Sequence, residues 1–126
     1  QWQLQKARDV FQRFFGMAPT GCWSSEGGLS QKALHQLAQA GYRWTASGDS
    51  VLHNSLRSAK TAGQGPKNPS IHQAYRFGDA DITVFFRDDG LSDLIGFTYA
   101  DWHASDAVAD LTSHMETIAS RATDQG

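Results

Sequence analysis

Segments of helical periodicity alternate along this chain with short segments rich in aromatic and β-branched residues, and this alternation limits the possible folds more than any other feature. Apolar residues recur at spacings of three and four over residues 3–15 and again in a segment capped by Ser105, which predicts two amphipathic helices. Ser30 is a favourable N-cap for a helix that runs to Ala40, and residues 50–59 are predicted to form another helix.

Three segments between these helices are predicted to be extended. They are residues 21–25, Tyr42–Ala46 and Asp81–Arg87. The last shows no clean alternation of apolar and polar residues, which is typical of a strand buried on both faces of a parallel sheet. The alternation of helices and strands predicts an α/β fold with about three parallel strands and intervening helices, too few strands to close a barrel alone.

Two connecting regions complete the prediction. Residues 63–70 contain two glycines and two prolines, which predicts a loop, and Ser92 is predicted to cap a short helix that runs through Phe97. The chain opens within a predicted helix and ends over 122–126 without a closing element, so we interpret both ends as cuts.

Composition argues against several classes of partner. The net charge is −2 and no run of basic residues occurs, so no nucleic acid is predicted as a partner. No run of 18 apolar residues occurs, so no membrane span is predicted. The single Cys22 cannot form an internal disulfide, which removes one argument for secretion and slightly favours a cytoplasmic location. The histidine spacing predicts no metal site, and no glycine-rich phosphate loop indicates a cofactor.

Acidic side chains follow each predicted strand, at the end where ligands bind in parallel α/β folds. The three loops carry Glu26, then Asp49, then residues 87–89. Glu26 stands between Trp23 and a pair of glycines, so a carboxylate, an aromatic wall and a close backbone approach coincide. A solvated loop carboxylate is nevertheless the commoner role of such a residue.

The remaining candidates have a structural and a functional interpretation each. Arg87 next to Asp88 could hold a carboxylate ionised or bind sugar hydroxyls, although a salt bridge at a strand end is commoner. Trp44 and Trp102 could stack on sugar rings, although a place in the core is commoner.

Several motifs resemble one enzyme family. Residues 21–30 (GCWSSEGGLS), residues 40–52 (AGYRWTASGDSVL) and residues 85–99 (FFRDDGLSDLIGFTY) occur in the order seen in glycoside hydrolase family 57, in its amylopullulanase-like and α-amylase-like members. Trp102 and the helix that begins near Ala107 resemble the segment that comes after the last motif in that family.

This resemblance implies a retaining enzyme that hydrolyses or transfers α-glucans of the starch, glycogen or pullulan type. The implied fold is an incomplete (β/α)7 TIM-like barrel, and residues 1–126 would be a fragment of that single catalytic domain. Glu26 falls on the nucleophile, whereas the general acid is an Asp on a later strand beyond residue 126. The fragment alone would then be inactive and would pack against the remainder of its own barrel. Substrate contacts would come from Trp23, Asp49, Arg87, Asp88 and Trp102.

Three positions depart from the family pattern and leave alternatives open. Ser24 replaces a common Pro, Gly48 replaces a common acid, and Asp89 stands where His is frequent. The changes are compatible with a degenerate, non-catalytic carbohydrate-binding relative. A metal-dependent carbohydrate deacetylase on a similar barrel is a weaker alternative, because the histidines lack the spacing of a metal site.

Overall fold

The computed structural model describes residues 1–123 except residues 62, 64, 65, 67 and 78. The helices are α1 (Trp2–Phe15), α2 (Gln31–Gln39), α3 (Asp49–Thr61), α4 (Asp89–Asp93) and α5 (Ala104–Thr123). The strands are β1 (Gly21–Trp23), β2 (Trp44–Gly48), β3 (Tyr75–Arg76) and β4 (Thr83–Arg87). A π-helical turn, Leu94–Thr98, and a 3-10 turn, Tyr99–Asp101, join α4 to α5. The predicted loop over 63–70 and the terminal segment 122–126 lie partly outside the described residues.

The strands form one sheet in the order β1-β2-β4-β3. β1, β2 and β4 are parallel, as predicted, and the connections between them contain helices. β3 is a short antiparallel strand paired with the first half of β4, and the sequence analysis missed it because two residues carry no periodicity. The α/β class is therefore confirmed, while closure into a barrel stays a prediction.

The core lies on one face of this sheet. Thr45 and Ser47 of β2 lie in register with Val84 and Phe86 of β4, and all four are buried. Leu34 and Leu37 of α2 and Leu52 of α3 join the same apolar cluster. The buried hydroxyl of Thr45 donates a 2.6 Å hydrogen bond to the carbonyl of Cys22, which offsets the cost of burying a polar group. We call this side the covered face.

The opposite side carries aromatic residues and is open. Trp23, Trp44 and Phe85 are 52%, 42% and 44% exposed, and the rings of Trp44 and Phe85 meet edge to face at 6.2 Å. The prediction that the third strand is buried on both faces is therefore wrong: burial alternates along β4. The reason is that α2 and α3 both pack on the covered face, and no described helix covers the other. We call this second side the open face.

Several predicted boundaries are corrected by local hydrogen bonding. The second strand begins at Trp44 instead of Tyr42, because the Tyr42 amide donates to the Leu37 carbonyl at the end of α2 and not to a neighbouring strand. Asp88 caps α4, so the predicted capping by Ser92 is wrong. Ser105 lies inside the first turn of α5, where the His103 carbonyl accepts the first hydrogen bonds. The predicted cap at Ser30 is confirmed, since its hydroxyl accepts from the Ala33 amide at 3.2 Å.

One arginine attaches α1 to two neighbouring segments. The Arg8 guanidinium of α1 donates to the carbonyls of Pro19 and Gly41, which ties α1 to the segment before β1 and to the loop after α2. Among the described residues, no helix combines the length and the apolar character that crossing a bilayer requires.

Candidate active site

The loops that follow β1, β2 and β4 meet at one edge of the sheet. Trp23 is in register with Ala46, and Gly48 is in register with Arg87, so the three strands end side by side. Glu26 follows β1, Asp49 begins α3 directly after β2, and residues 87–89 follow β4. We call this edge, with its acidic and basic side chains, the rim.

The Glu26 carboxylate stands on a strained turn. Its backbone has φ 53° and ψ 21°, the left-handed region that costs a residue with a Cβ about 1 kcal/mol. Glu26 is the one non-glycine residue with positive φ among those described, and its side chain is exposed. Such strain persists only where surrounding contacts hold the backbone in place, and it is concentrated at functional sites.

Two contacts hold this turn. The buried Ser47 hydroxyl donates a 2.5 Å hydrogen bond to the carbonyl of Gly27. A Cβ added at Gly27 would lie 3.4 Å from the Trp23 ring and 3.5 Å from the Gly48 amide nitrogen, so the backbone is in close contact with both. The turn is thereby fixed between the end of β2 and the face of Trp23, and the predicted proximity of Trp23 to the Glu26 turn has a structural basis.

An ion pair lies beside Trp23. Arg87 Nε donates to Asp89 Oδ1 at 2.6 Å, and the guanidinium carbon lies 6.0 Å from the centroid of the Trp23 ring. Asp89 also extends over Gly48, where an added Cβ would be 3.1 Å from Asp89 Oδ2. Asp89 therefore links the loops after β2 and β4.

The pKa values of Asp49 and Asp89, two carboxyl groups at the rim, shift in opposite directions. The pKa of Asp89 is lowered, first by the hydrogen bond from Arg87 and further by one from Asp49. The pKa of Asp49 is raised, first by burial and then by the neighbouring Asp89 carboxylate. The two shifts have opposite signs, so Asp89 loses its proton before Asp49 as pH rises, and the ionised Asp89 pairs with Arg87.

Asp88 is engaged in the scaffold. Its Oδ1 accepts from the Leu91 amide at 2.9 Å and caps α4, and its Oδ2 lies 3.0 Å from His72 Nε2. Partial burial raises the pKa of Asp88, but the Leu91 amide and His72 outweigh burial, so the pKa is lowered overall. His72 was missed by the sequence analysis, because nothing in a loop 16 residues away signals this pairing.

The other two candidate tryptophans, Trp44 and Trp102, occupy different places. Trp44 lies on the open face against Phe85, and it is too exposed for the core position considered above. Trp102 is 44% exposed and its ring lies 5.3 Å from that of Tyr99, just before α5. Sugar stacking by Trp102 and substrate binding by Asp88 stay predictions. Within the described residues, no group of three or more His, Cys, Asp or Glu side chains is arranged to hold a metal ion.

Comparison with known proteins gives one match. A family model described as glycosyl hydrolase family 57 matches residues 1–125. No curated protein and no solved structure shows a significant match to the chain.

Proposed function

The chain belongs to glycosyl hydrolase family 57, and we propose that it supplies the nucleophile of a retaining enzyme that hydrolyses or transfers α-glucan chains. The family predicted from the three motifs is confirmed by a match over essentially the whole chain. The proposal goes further in three respects, namely the retaining course, the nucleophile, and a substrate of the starch, glycogen or pullulan type, as in α-amylases and amylopullulanases.

The observation that carries the proposal is the Glu26 turn. The Glu26 side chain is exposed on a strained backbone turn that Ser47 holds next to Trp23, and we infer that this turn presents the carboxylate as a nucleophile beside an aromatic wall. In the proposed reaction, Glu26 attacks the anomeric carbon and a covalent glycosyl-enzyme bond forms as the bond to the leaving oxygen breaks. An acid protonates that oxygen, and water or an acceptor hydroxyl then releases the sugar with retained configuration.

The acid must come from elsewhere. A retaining mechanism places two carboxyl groups about 5–5.5 Å apart, and the resemblance puts the acid on a later strand outside these residues. Around Glu26, the Trp23 ring would form a wall of the sugar subsite, while Arg87 and Asp49 would hydrogen-bond sugar hydroxyls. Asp88, which caps the start of α4, would also bind substrate at the rim. Trp102 would stack on a more distant sugar.

The open face supports the proposal that the chain is one part of a (β/α)7 barrel. Three parallel strands with helices on a single face form an arc of such a barrel, and the open face would then point inward. The exposed rings of Trp44 and Phe85 would pack against the remainder of the same barrel. Residues 1–126 would on this proposal lie within a single catalytic domain and be inactive alone.

A mechanism-based label tests the nucleophile. The full-length protein would be incubated with a fluorinated α-glucosyl fluoride, and the labelled residue located by peptide mass spectrometry. We expect the label on Glu26, and we expect Glu26→Gln to lower turnover of soluble starch about a thousandfold or more. The matched control is Glu116→Gln on α5, which changes the chain's other exposed glutamate and should keep normal turnover.

Two results would count against the assignment. Normal turnover by Glu26→Gln would remove Glu26 as nucleophile. Glucan binding by the folded protein without any label or turnover would favour the degenerate carbohydrate-binding relative, for which Ser24, Gly48 and Asp89 are the relevant departures.

A further inference from the structure

Asp89 contacts more of the rim than any sequence pattern suggested. It accepts a hydrogen bond from Arg87, it lies over the backbone of Gly48, and its carboxylate influences the pKa of Asp49. These partners belong to the ends of β2 and β4, so one carboxylate joins two loops. It is less exposed than Arg87, with 30% of its side chain accessible against 51%.

The contact with Asp89 determines where the arginine points. Arg87 uses its Nε to donate to Asp89, and its terminal nitrogens make no hydrogen bond within the described residues. A guanidinium has five N–H donors in a rigid plane, so four of them stay available when one is used. The guanidinium carbon lies over the Trp23 ring, 6.0 Å from its centroid, so these donors are held close to that ring.

Gly48 makes this arrangement sterically feasible. A Cβ at position 48 would lie 3.1 Å from Asp89 Oδ2 and 3.7 Å from Oδ1, so an alanine there requires the Asp89 carboxylate to shift by a few tenths of an ångström. Gly48 and Asp89 are two of the three departures noted in the sequence, and in space they are neighbours.

We propose that Asp89 is a positioning and specificity-determining residue of the glycan site, which holds Arg87 beside Trp23 and neutralises its charge so that the site selects uncharged sugars. This inference rests on the proposed function. A sugar bound against the exposed part of the Trp23 ring would present its hydroxyls to the free donors of Arg87. Because the guanidinium is already paired, a carboxylate or phosphate on the sugar gains little from it.

The experiment compares Asp89→Asn with a matched charge change elsewhere. Asp81→Asn is the control, since Asp81 pairs with Arg76 at 3.0 Å before β4 begins, at the end of the strand opposite the rim. Both variants of the full-length protein gain one unit of charge. Affinity is measured by calorimetry for maltoheptaose and for the same oligosaccharide oxidised at one 6-position to a glucuronic acid. The unfolding midpoint of each variant is recorded alongside.

We expect Asp89→Asn to weaken maltoheptaose binding about fivefold and to raise the preference for the oxidised sugar over the neutral one about tenfold. Asp81→Asn should leave that preference within about twofold, because salt screens a distant surface charge. Asp89→Glu should retain the neutral preference, since it keeps the charge. Gly48→Ala should weaken maltoheptaose binding without any change of charge, and it provides the test if Asp89→Asn does not fold.

Each result has one consequence. An equal preference in Asp89→Asn and Asp81→Asn, with glucan bound by the unchanged protein, overturns the inference and leaves the proposed function standing. Unchanged maltoheptaose binding by Gly48→Ala also overturns it. If the unchanged protein neither binds nor cleaves α-glucan, the proposed function is wrong and this inference is overturned with it.

Discussion

The two faces of the central sheet are built from alternate residues of the same strands, yet helices cover only one of them. On the covered face, Thr45, Ser47 and Val84 are entirely buried, and the helices α2 and α3 supply leucines that complete the core. On the open face, Trp23, Trp44 and Phe85 keep 42–52% of their surface accessible. Both faces therefore carry large apolar side chains, while only one of them buries these side chains.

This contrast indicates that the two faces have separate tasks. The covered face secures the strands, and through Ser47 it reaches the Glu26 turn and holds it. The open face and its rim present aromatic and charged groups to whatever binds there. A residue's contribution to stability should accordingly depend on its face more than on its type. The first prediction tests this directly, and two more test how the rim is held.

The first prediction compares adjacent phenylalanines on β4. Phe86 is 8% exposed and Phe85 is 44% exposed. In the 126-residue chain, we expect Phe86→Ala to lower the free energy of unfolding by about 3–5 kcal/mol, since it leaves a cavity in the core. We expect Phe85→Ala to lower it by about 1 kcal/mol, because much of that ring is already in water. Urea unfolding followed by circular dichroism measures both.

The Phe85→Ala and Phe86→Ala variants also test whether the open face is covered in a barrel. If a longer chain covers the open face, Phe85→Ala in the full-length protein should cost about as much as Phe86→Ala. Equal costs in the isolated chain would instead contradict the distinction between the two faces.

The second prediction concerns strain at the rim. Glu26→Gly should raise the free energy of unfolding by about 0.5–1 kcal/mol, because glycine adopts a φ of 53° without a Cβ clash. Glu26→Gln keeps the Cβ and removes the charge, so it should leave stability nearly unchanged. Thermal unfolding of the two variants separates backbone strain from charge. A loss of stability in Glu26→Gly would show that the turn is not strained.

The third prediction concerns pH. The pKa of Asp88 is lowered in the folded chain, so its ionised form stabilises the fold above its unfolded pKa of about 4, and this stability is lost as pH falls through the lower, folded value. Asp88→Asn should keep most of the α4 cap, since Asn caps helices as well as Asp does. We expect its unfolding free energy to fall less between pH 5 and pH 2 than that of the unchanged chain. Parallel slopes would remove Asp88 as a source of acid sensitivity.

The sequence was sufficient to predict the order of the main elements and the three loops at the rim. Helical periodicity and caps such as Ser30 are local signals, and parallel strands necessarily end at one edge once they pair. Family membership followed from motifs of 10 to 15 residues and was confirmed.

Other features depend on contacts between distant residues. The pattern over Asp81–Arg87 was the same whether one or two faces were buried, because burial depends on where α2 and α3 pack. The Asp88–His72 and Asp89–Gly48 contacts join segments with no common periodicity, so neither could be predicted. Asp88 and Ser92 are both residue types that favour N-caps. The helix begins at Asp89, so Asp88 occupies the cap position.

The close approach of Trp44 to Gly21 has a consequence for how this sequence can change over generations. A Cβ at position 21 would overlap the six-membered ring of Trp44, so the two positions are not independently variable. An ancestor or descendant that lacks the glycine should carry a smaller residue at 44, and the smaller residue should arise first. A phylogeny of close relatives would show the order of these substitutions at positions 21 and 44.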